Sequence, residues 1–128
     1  MKTLPFLVLT FLFCCPFLIS AQSIVGSWSW DATTPDGKAA KNMLTFQKDG
    51  VYKVDLGMNG SYEIEGSYTL ENDQITIVDT SEGPCKGVKG VYNMKIEDNQ
   101  IVTTLVSDDC LPRKGNDPDT PMIMTRVQ

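Results

Sequence analysis

Apolar side chains recur at every second position in eight separate stretches of this sequence, and no stretch of useful length repeats them at helical spacing. Such alternation marks strands with one buried face. Ile24–Trp30 places Gly26, Trp28 and Trp30 on one face, and Met43–Gln47 pairs Leu44 with Phe46. In Val51–Leu56, Tyr52, Val54 and Leu56 oppose Lys53 and Asp55. Tyr62–Leu70 sets Tyr62, Ile64, Gly66, Tyr68 and Leu70 against Glu63 and Glu65. Gln74–Val78 carries Ile75 and Ile77, Gly90–Ile96 carries Tyr92, Met94 and Ile96, and Ile101–Ser107 carries Ile101, Thr103 and Leu105. Met122–Val127 closes the series.

The connections then restrict the topology. Lys48-Asp49-Gly50, Glu71-Asn72-Asp73 and Glu97-Asp98-Asn99 are short polar turns of the kind that close hairpins. Asp31–Asn42, Asp79–Lys89 and Asp108–Pro121 are long, and Met58-Asn59-Gly60 makes a further turn. If the strands run up and down in chain order, the three tight turns share one end and the long loops share the other. Eight strands can close into a barrel that just holds side chains or one small ligand. The sequence therefore predicts an all-β fold, an eight-stranded antiparallel up-and-down β-barrel with a cup-like open end.

The N-terminus bears on compartment. Lys2 precedes an apolar run from Leu4 to Ile19, and Ala21 supplies a small residue for cleavage. A cationic start, a hydrophobic stretch and a small residue make a secretory signal over residues 1–21. The run holds Pro16 and is shorter than the ~20 residues of a bilayer span. Phe13 before Cys14 does not fit a lipid-attachment signal, and neither does Cys14 before Cys15, so the expectation is a secreted or periplasmic protein without a lipid anchor. Removing 21 of the 128 residues leaves 107, a single domain over 22–128, and the loss of Lys2 takes the net charge from −5 to −6. That acidity argues against nucleic acid, which needs a basic face. Only Cys85 and Cys110 remain after cleavage. In an oxidising compartment two cysteines form one disulfide, and both fall at the long-loop end of the predicted barrel.

Gly26-Ser27-Trp28 at the start of the first strand, with Arg126 near the end of the last, resembles the lipocalin and fatty-acid-binding group of calycin barrels. The nearest likeness is to short secreted bacterial lipocalin-like proteins. The resemblance implies that the Trp28 indole plugs the closed end and that Arg126 packs over it, a cation on an aromatic face. Arg113, outside any strand and at the opposite end, is the lesser candidate for that role. The chain departs from typical lipocalins in having no helix after the last strand, and from fatty-acid-binding proteins in lacking room for a two-helix lid between the first two strands.

Catalytic chemistry is poorly supplied. The sequence has no histidine, the commonest general base and metal ligand, and paired cysteines leave no thiolate. Glu63 with Glu65 and Asp108 with Asp109 are the carboxylate pairs, and the first should face solvent. Asn116, Asp117 and Asp119 lack a calcium-loop spacing, and Pro118 and Pro121 interrupt them. No enzyme activity, cofactor or metal is expected. Trp30, Leu56, Tyr62, Tyr92 and Met122 fall on inward positions nearest the long loops and would line an apolar cup. The expected function is a secreted binding protein holding a small hydrophobic ligand. The alternative is a protein-interaction module with a filled interior, such as a protease-inhibitor-type barrel. Cavity volume discriminates between the two.

Overall fold

The computed structural model describes residues 23–115 and 117–128; the expected signal segment over residues 1–21 lies outside them. Eight strands form one closed antiparallel barrel in chain order. They are β1 (Gly26–Thr33), β2 (Ala39–Phe46), β3 (Val51–Asp55), β4 (Ile64–Glu71), β5 (Gln74–Asp79), β6 (Lys89–Glu97), β7 (Gln100–Asp108) and β8 (Met122–Arg126), with a one-turn helix α1 (Leu111–Lys114) between β7 and β8. Among the described residues no helix is long and apolar enough to cross a membrane.

The alternation read from the sequence becomes the barrel interior. Trp28, Phe46, Tyr52, Val54, Ile75, Met94, Ile101 and Met124 are buried and form one cluster with Ile24. Phe46 and Tyr68 meet edge to face at 4.8 Å between ring centroids, an arrangement that suits the aromatic quadrupole. The turns after β2, β4 and β6 lie at one end and the longer connections at the other. Two of those tight turns hold non-glycine residues in the left-handed region, Asn72 and Asp73 in one and Asp98 in the other, residue types that tolerate it.

The tight-turn end is sealed by one side chain. Trp28 is fully buried, and its indole N–H donates to the Ile24 carbonyl at 2.8 Å. The Arg126 guanidinium lies 4.2 Å from the centre of the Trp28 ring and donates to the Ser23 carbonyl at 3.0 Å and, at 3.4 Å, to that of Val25. Gly26 has φ +130, and a Cβ there would stand 3.1 Å from Arg126 Nη1. Glycine at this position thus meets both a backbone and a space requirement.

Two expected boundaries are corrected. The connection expected over Asp31–Asn42 is mostly strand: β1 and β2 pair as far as Thr33 with Ala39, and the turn is only Thr34–Lys38, closed by the Thr34 N–H on the Lys38 carbonyl at 2.9 Å. Beyond Met43, which pairs with Asp55, this hairpin continues as a two-stranded ribbon above the barrel. The fourth strand begins at Ile64, not Tyr62. Asp55 accepts the Asn59 and Gly60 N–H groups at 2.9 Å each, and Glu63 accepts that of Leu56 at 2.8 Å. These acceptors fold Leu56–Glu63 into a loop and take Tyr62 out of the strand.

Candidate functional site

A cavity of about 520 Å³ occupies the upper half of the barrel, within the range of small-molecule sites. Its floor and walls come from inward positions of the strands, including Leu44, Phe46, Ile75, Ile77, Met94 and Met124. Its rim is Leu56 and Glu63 from the β3–β4 loop, Ser81–Cys85 from the β5–β6 loop, and Pro112 and Arg113 from α1. No residue of the three tight turns lines it, so the cavity opens at the long-loop end. A larger, more open hollow of about 670 Å³ lies at the hairpin end, lined by Leu70, Asn72, Asp73, Asn93, Lys95 and Val102 among others.

The disulfide builds the rim. Cys85 and Cys110 are bonded, with Cα atoms 5.4 Å apart, which ties the β5–β6 loop to the start of α1. Three residues on, Arg113 turns into the cavity wall. Its Nε and Nη2 donate to the two oxygens of Asp108 at 2.6 and 2.8 Å, Nη2 also donates to the Val88 carbonyl at 2.8 Å, and Nη1 donates to Asp79 Oδ1 at 3.2 Å. A two-pronged guanidinium–carboxylate pair of this kind combines charge with fixed geometry. The Tyr52 hydroxyl donates to Asp79 Oδ1 and the Tyr92 hydroxyl to Asp108 Oδ2. The side chains of Arg113, Asp79 and Asp108 are 13%, 10% and 0% exposed.

Three local features of the sequence place this cluster. Gly66 leaves room for the Tyr52 ring: a Cβ there would stand 2.4 Å from Tyr52 Cζ. Gly90 does the same for Asp108 and Arg113, with 2.5 Å to Asp108 Oδ2. The third is a β-bulge. Val91 pairs with Ser107 while Tyr92 pairs with Leu105, so Val106 is the extra residue and the phase of β7 reverses beyond it. A bulge re-aims the side chains that follow it, and this one turns Asp108 inward where strict alternation from Ile101 would not.

Electrostatics follow from burial and pairing. Burial, aided by the hydrogen bond to Asp79, pushes the Tyr52 phenol well above its ordinary value, and Tyr92 is raised in the same way by burial and Asp108. Burial alone would raise Asp108, but hydrogen bonds from Arg113, Tyr92 and the Cys110 N–H together hold its carboxyl below the ordinary value. Burial likewise opposes charge on Arg113, yet the carboxylates of Asp108 and Asp79 leave it raised. The cluster holds one cation, two anions and two neutral phenols.

Of the residues expected to line the cup, Trp30, Leu56, Tyr92 and Met122 do so. Tyr62 does not: it is half exposed and lies outside, with Lys53 Nζ 5.6 Å from its ring centre. Gly26, Trp28 and Arg126 meet at the closed end as described, so the capping arginine is Arg126, and Arg113 belongs to the opposite end. Asp108 and Asp109 do not form a pair, because Asp108 is buried against Arg113 while Asp109 is exposed. Asp117 and Asp119 lie on the exposed loop, and Asn116 falls outside the described residues. Composition and alternation did not mark Asp79, Asp108 or Arg113 as wall residues; the paired inward glycines, Gly66 and Gly90, were the available signal.

Fold and site together define a class: a disulfide-bonded, closed eight-stranded antiparallel barrel with an apolar calyx at its loop end and a buried ionic cluster in the calyx wall. No family model matches the chain, and neither a curated protein nor a solved structure does.

Proposed function

We propose that this protein is a lipocalin-like small-molecule binding protein, exported through its N-terminal signal, that holds an apolar ligand in the calyx and performs no catalysis on it. The carrying observation is the open cavity of about 520 Å³, walled mainly by Leu44, Phe46, Ile75, Ile77, Met94 and Met124. A filled interior would have favoured an interaction module instead. The stacking of Arg126 on Trp28 supports the calycin likeness, and the disulfide accords with an oxidising compartment. Trp30, Leu56, Tyr92 and Met122 are the ligand contacts of this reading.

An uncharged, environment-sensitive apolar dye tests it. The dye should bind with a blue-shifted, enhanced emission, and Trp30→Ala should weaken it by roughly tenfold, the worth of about 1.4 kcal/mol of lost apolar contact. Tyr62→Ala should leave the affinity unchanged. Failure of the dye to bind, together with native mass spectra of protein from its own host showing no retained ligand, would refute the carrier reading in favour of the interaction module.

A further inference from the structure

The ionic cluster in the calyx wall has one unfilled position, and its chemistry restricts the ligand. Asp108 is closed. Its Oδ1 accepts from Arg113 and from the Cys110 N–H, and its Oδ2 from Arg113 and Tyr92. Asp79 is half closed: Oδ1 accepts from Tyr52 and Arg113, while Oδ2 has no partner among the described residues. Asp79 is nevertheless buried, at 8% exposure. Among the described residues every buried side-chain nitrogen or oxygen without solvent contact is hydrogen-bonded, so Oδ2 is open to space, and the space that Asp79 lines is the calyx. Of the five N–H groups of a guanidinium, Arg113 commits four, which leaves one on Nη1 beside Asp79.

We infer, building on the calyx-binding reading above, that the ligand is an apolar molecule whose head group is uncharged or cationic and donates an N–H or O–H to Asp79 Oδ2, and that carboxylates are selected against. Charge decides the second half. The single cation of the cluster is outnumbered by two carboxylates, and its bidentate face is fully occupied by Asp108. A carboxylate head would meet a second carboxylate in a site of low polarity, where like charges repel strongly. It would find only one free N–H to offset this. The two phenols do not change the sum, since burial and their carboxylate partners keep both neutral at ordinary pH. An alcohol, amide or amine satisfies Asp79 Oδ2, and an alcohol or amide can also accept from Arg113 Nη1. An unfilled buried acceptor penalises any ligand that cannot donate to it.

A matched series on the intact disulfide-bonded protein provides the test. Dodecanol, dodecylamine and dodecanoate share one tail and differ in the head; each is titrated at neutral pH against the bound uncharged dye. Dodecanol and dodecylamine should displace the dye at concentrations at least about tenfold lower than dodecanoate. Asp79→Asn removes one negative charge and keeps an acceptor for Tyr52, so it should narrow this gap by improving dodecanoate and weakening dodecylamine. Equal or tighter binding of dodecanoate by the unaltered protein overturns the head-group inference while the dye signal leaves the calyx reading standing. Discrimination that survives Asp79→Asn unchanged in a folded variant overturns the assignment to Asp79. A protein that binds neither dye nor any member of the series overturns the calyx reading and this inference with it.

Discussion

At the scale of single residues the barrel depends on side chains that are missing as much as on those present. Gly66 is the clearest case, because Tyr52 fills the volume that any Cβ would occupy and carries a hydrogen bond to Asp79. Gly66→Ala should therefore cost about 1–3 kcal/mol or more from overpacking, read as a lowered denaturation midpoint. An unchanged midpoint would mean that the Tyr52 ring and the Val78 carbonyl, which would stand equally close to that Cβ, both give way freely. The same tyrosine, with Tyr92, sets the alkaline limit. Both phenols hold their protons more tightly when folded than their ordinary value of 10.0, so the unfolded chain releases protons first as pH rises. Their stabilisation is complete below about pH 10 and is lost progressively above it. Asp108 works at the other limit with the opposite sign: its folded value lies below the ordinary 3.8, so its contribution is present above that pH and declines as pH falls below it. Denaturant unfolding across the pH range should show both flanks, and phenolate absorbance should register Tyr52 and Tyr92 only as the alkaline unfolding proceeds.

At the scale of elements, α1 and the β5–β6 loop are held together twice, by Cys85–Cys110 and by Arg113 bridging Asp108, Asp79 and the Val88 carbonyl. The bridge spans 25 residues, and restricting that much unfolded chain contributes roughly 3–4 kcal/mol. Because both links constrain the same two segments, their loss should be non-additive. Cys85→Ser with Cys110→Ser, Arg113→Met and the combination form a cycle, and strict additivity of their unfolding free energies would show the links to be independent. The elements also divide into those legible from the chain and those not. The strands were legible wherever a face met the core, as with Tyr52 and Val54 or Ile75 and Ile77. Alternation was blind in the β1–β2 ribbon, where Asp31–Thr33 and Ala39–Lys41 have no core to face, and it misled at Tyr62, where the carboxylates of Asp55 and Glu63 fold the chain into a loop. The calyx was legible in outline, since Trp30, Leu56, Tyr92 and Met122 all reach it. Its polar wall was not, because Asp108 depends on a bulge at Val106 and Arg113 reaches in from a helical turn whose position only the disulfide and the closed barrel determine.

At the scale of the whole molecule the question is how a sheet of eight strands stays closed. Its strongest pairings, β1 with β2 and β6 with β7, each extend over eight residue pairs. The seam between β1 and β8 has two, Trp28 with Arg126 and Ser29 with Thr125, extended by the Val127 N–H on the Ser27 carbonyl at 2.9 Å. So short a ladder would open readily by itself, since few backbone bonds must break. Arg126 compensates from within the seam. Its guanidinium covers Trp28 and reaches back to the carbonyls of Ser23 and Val25, so one side chain of the last strand grips the residues before the first. Arg126→Ala removes the cation–π contact and the packing of the aliphatic stem, a loss of roughly 1–2 kcal/mol. The loss should be local before it is global. Hydrogen exchange should accelerate at the amides of Ser29 and of Met122–Thr125, with β6 and β7 retaining their protection until the barrel unfolds as a whole. If Arg126→Ala lowers stability but leaves exchange in β8 unaltered, Arg126 acts only by covering Trp28, and the seam holds without it.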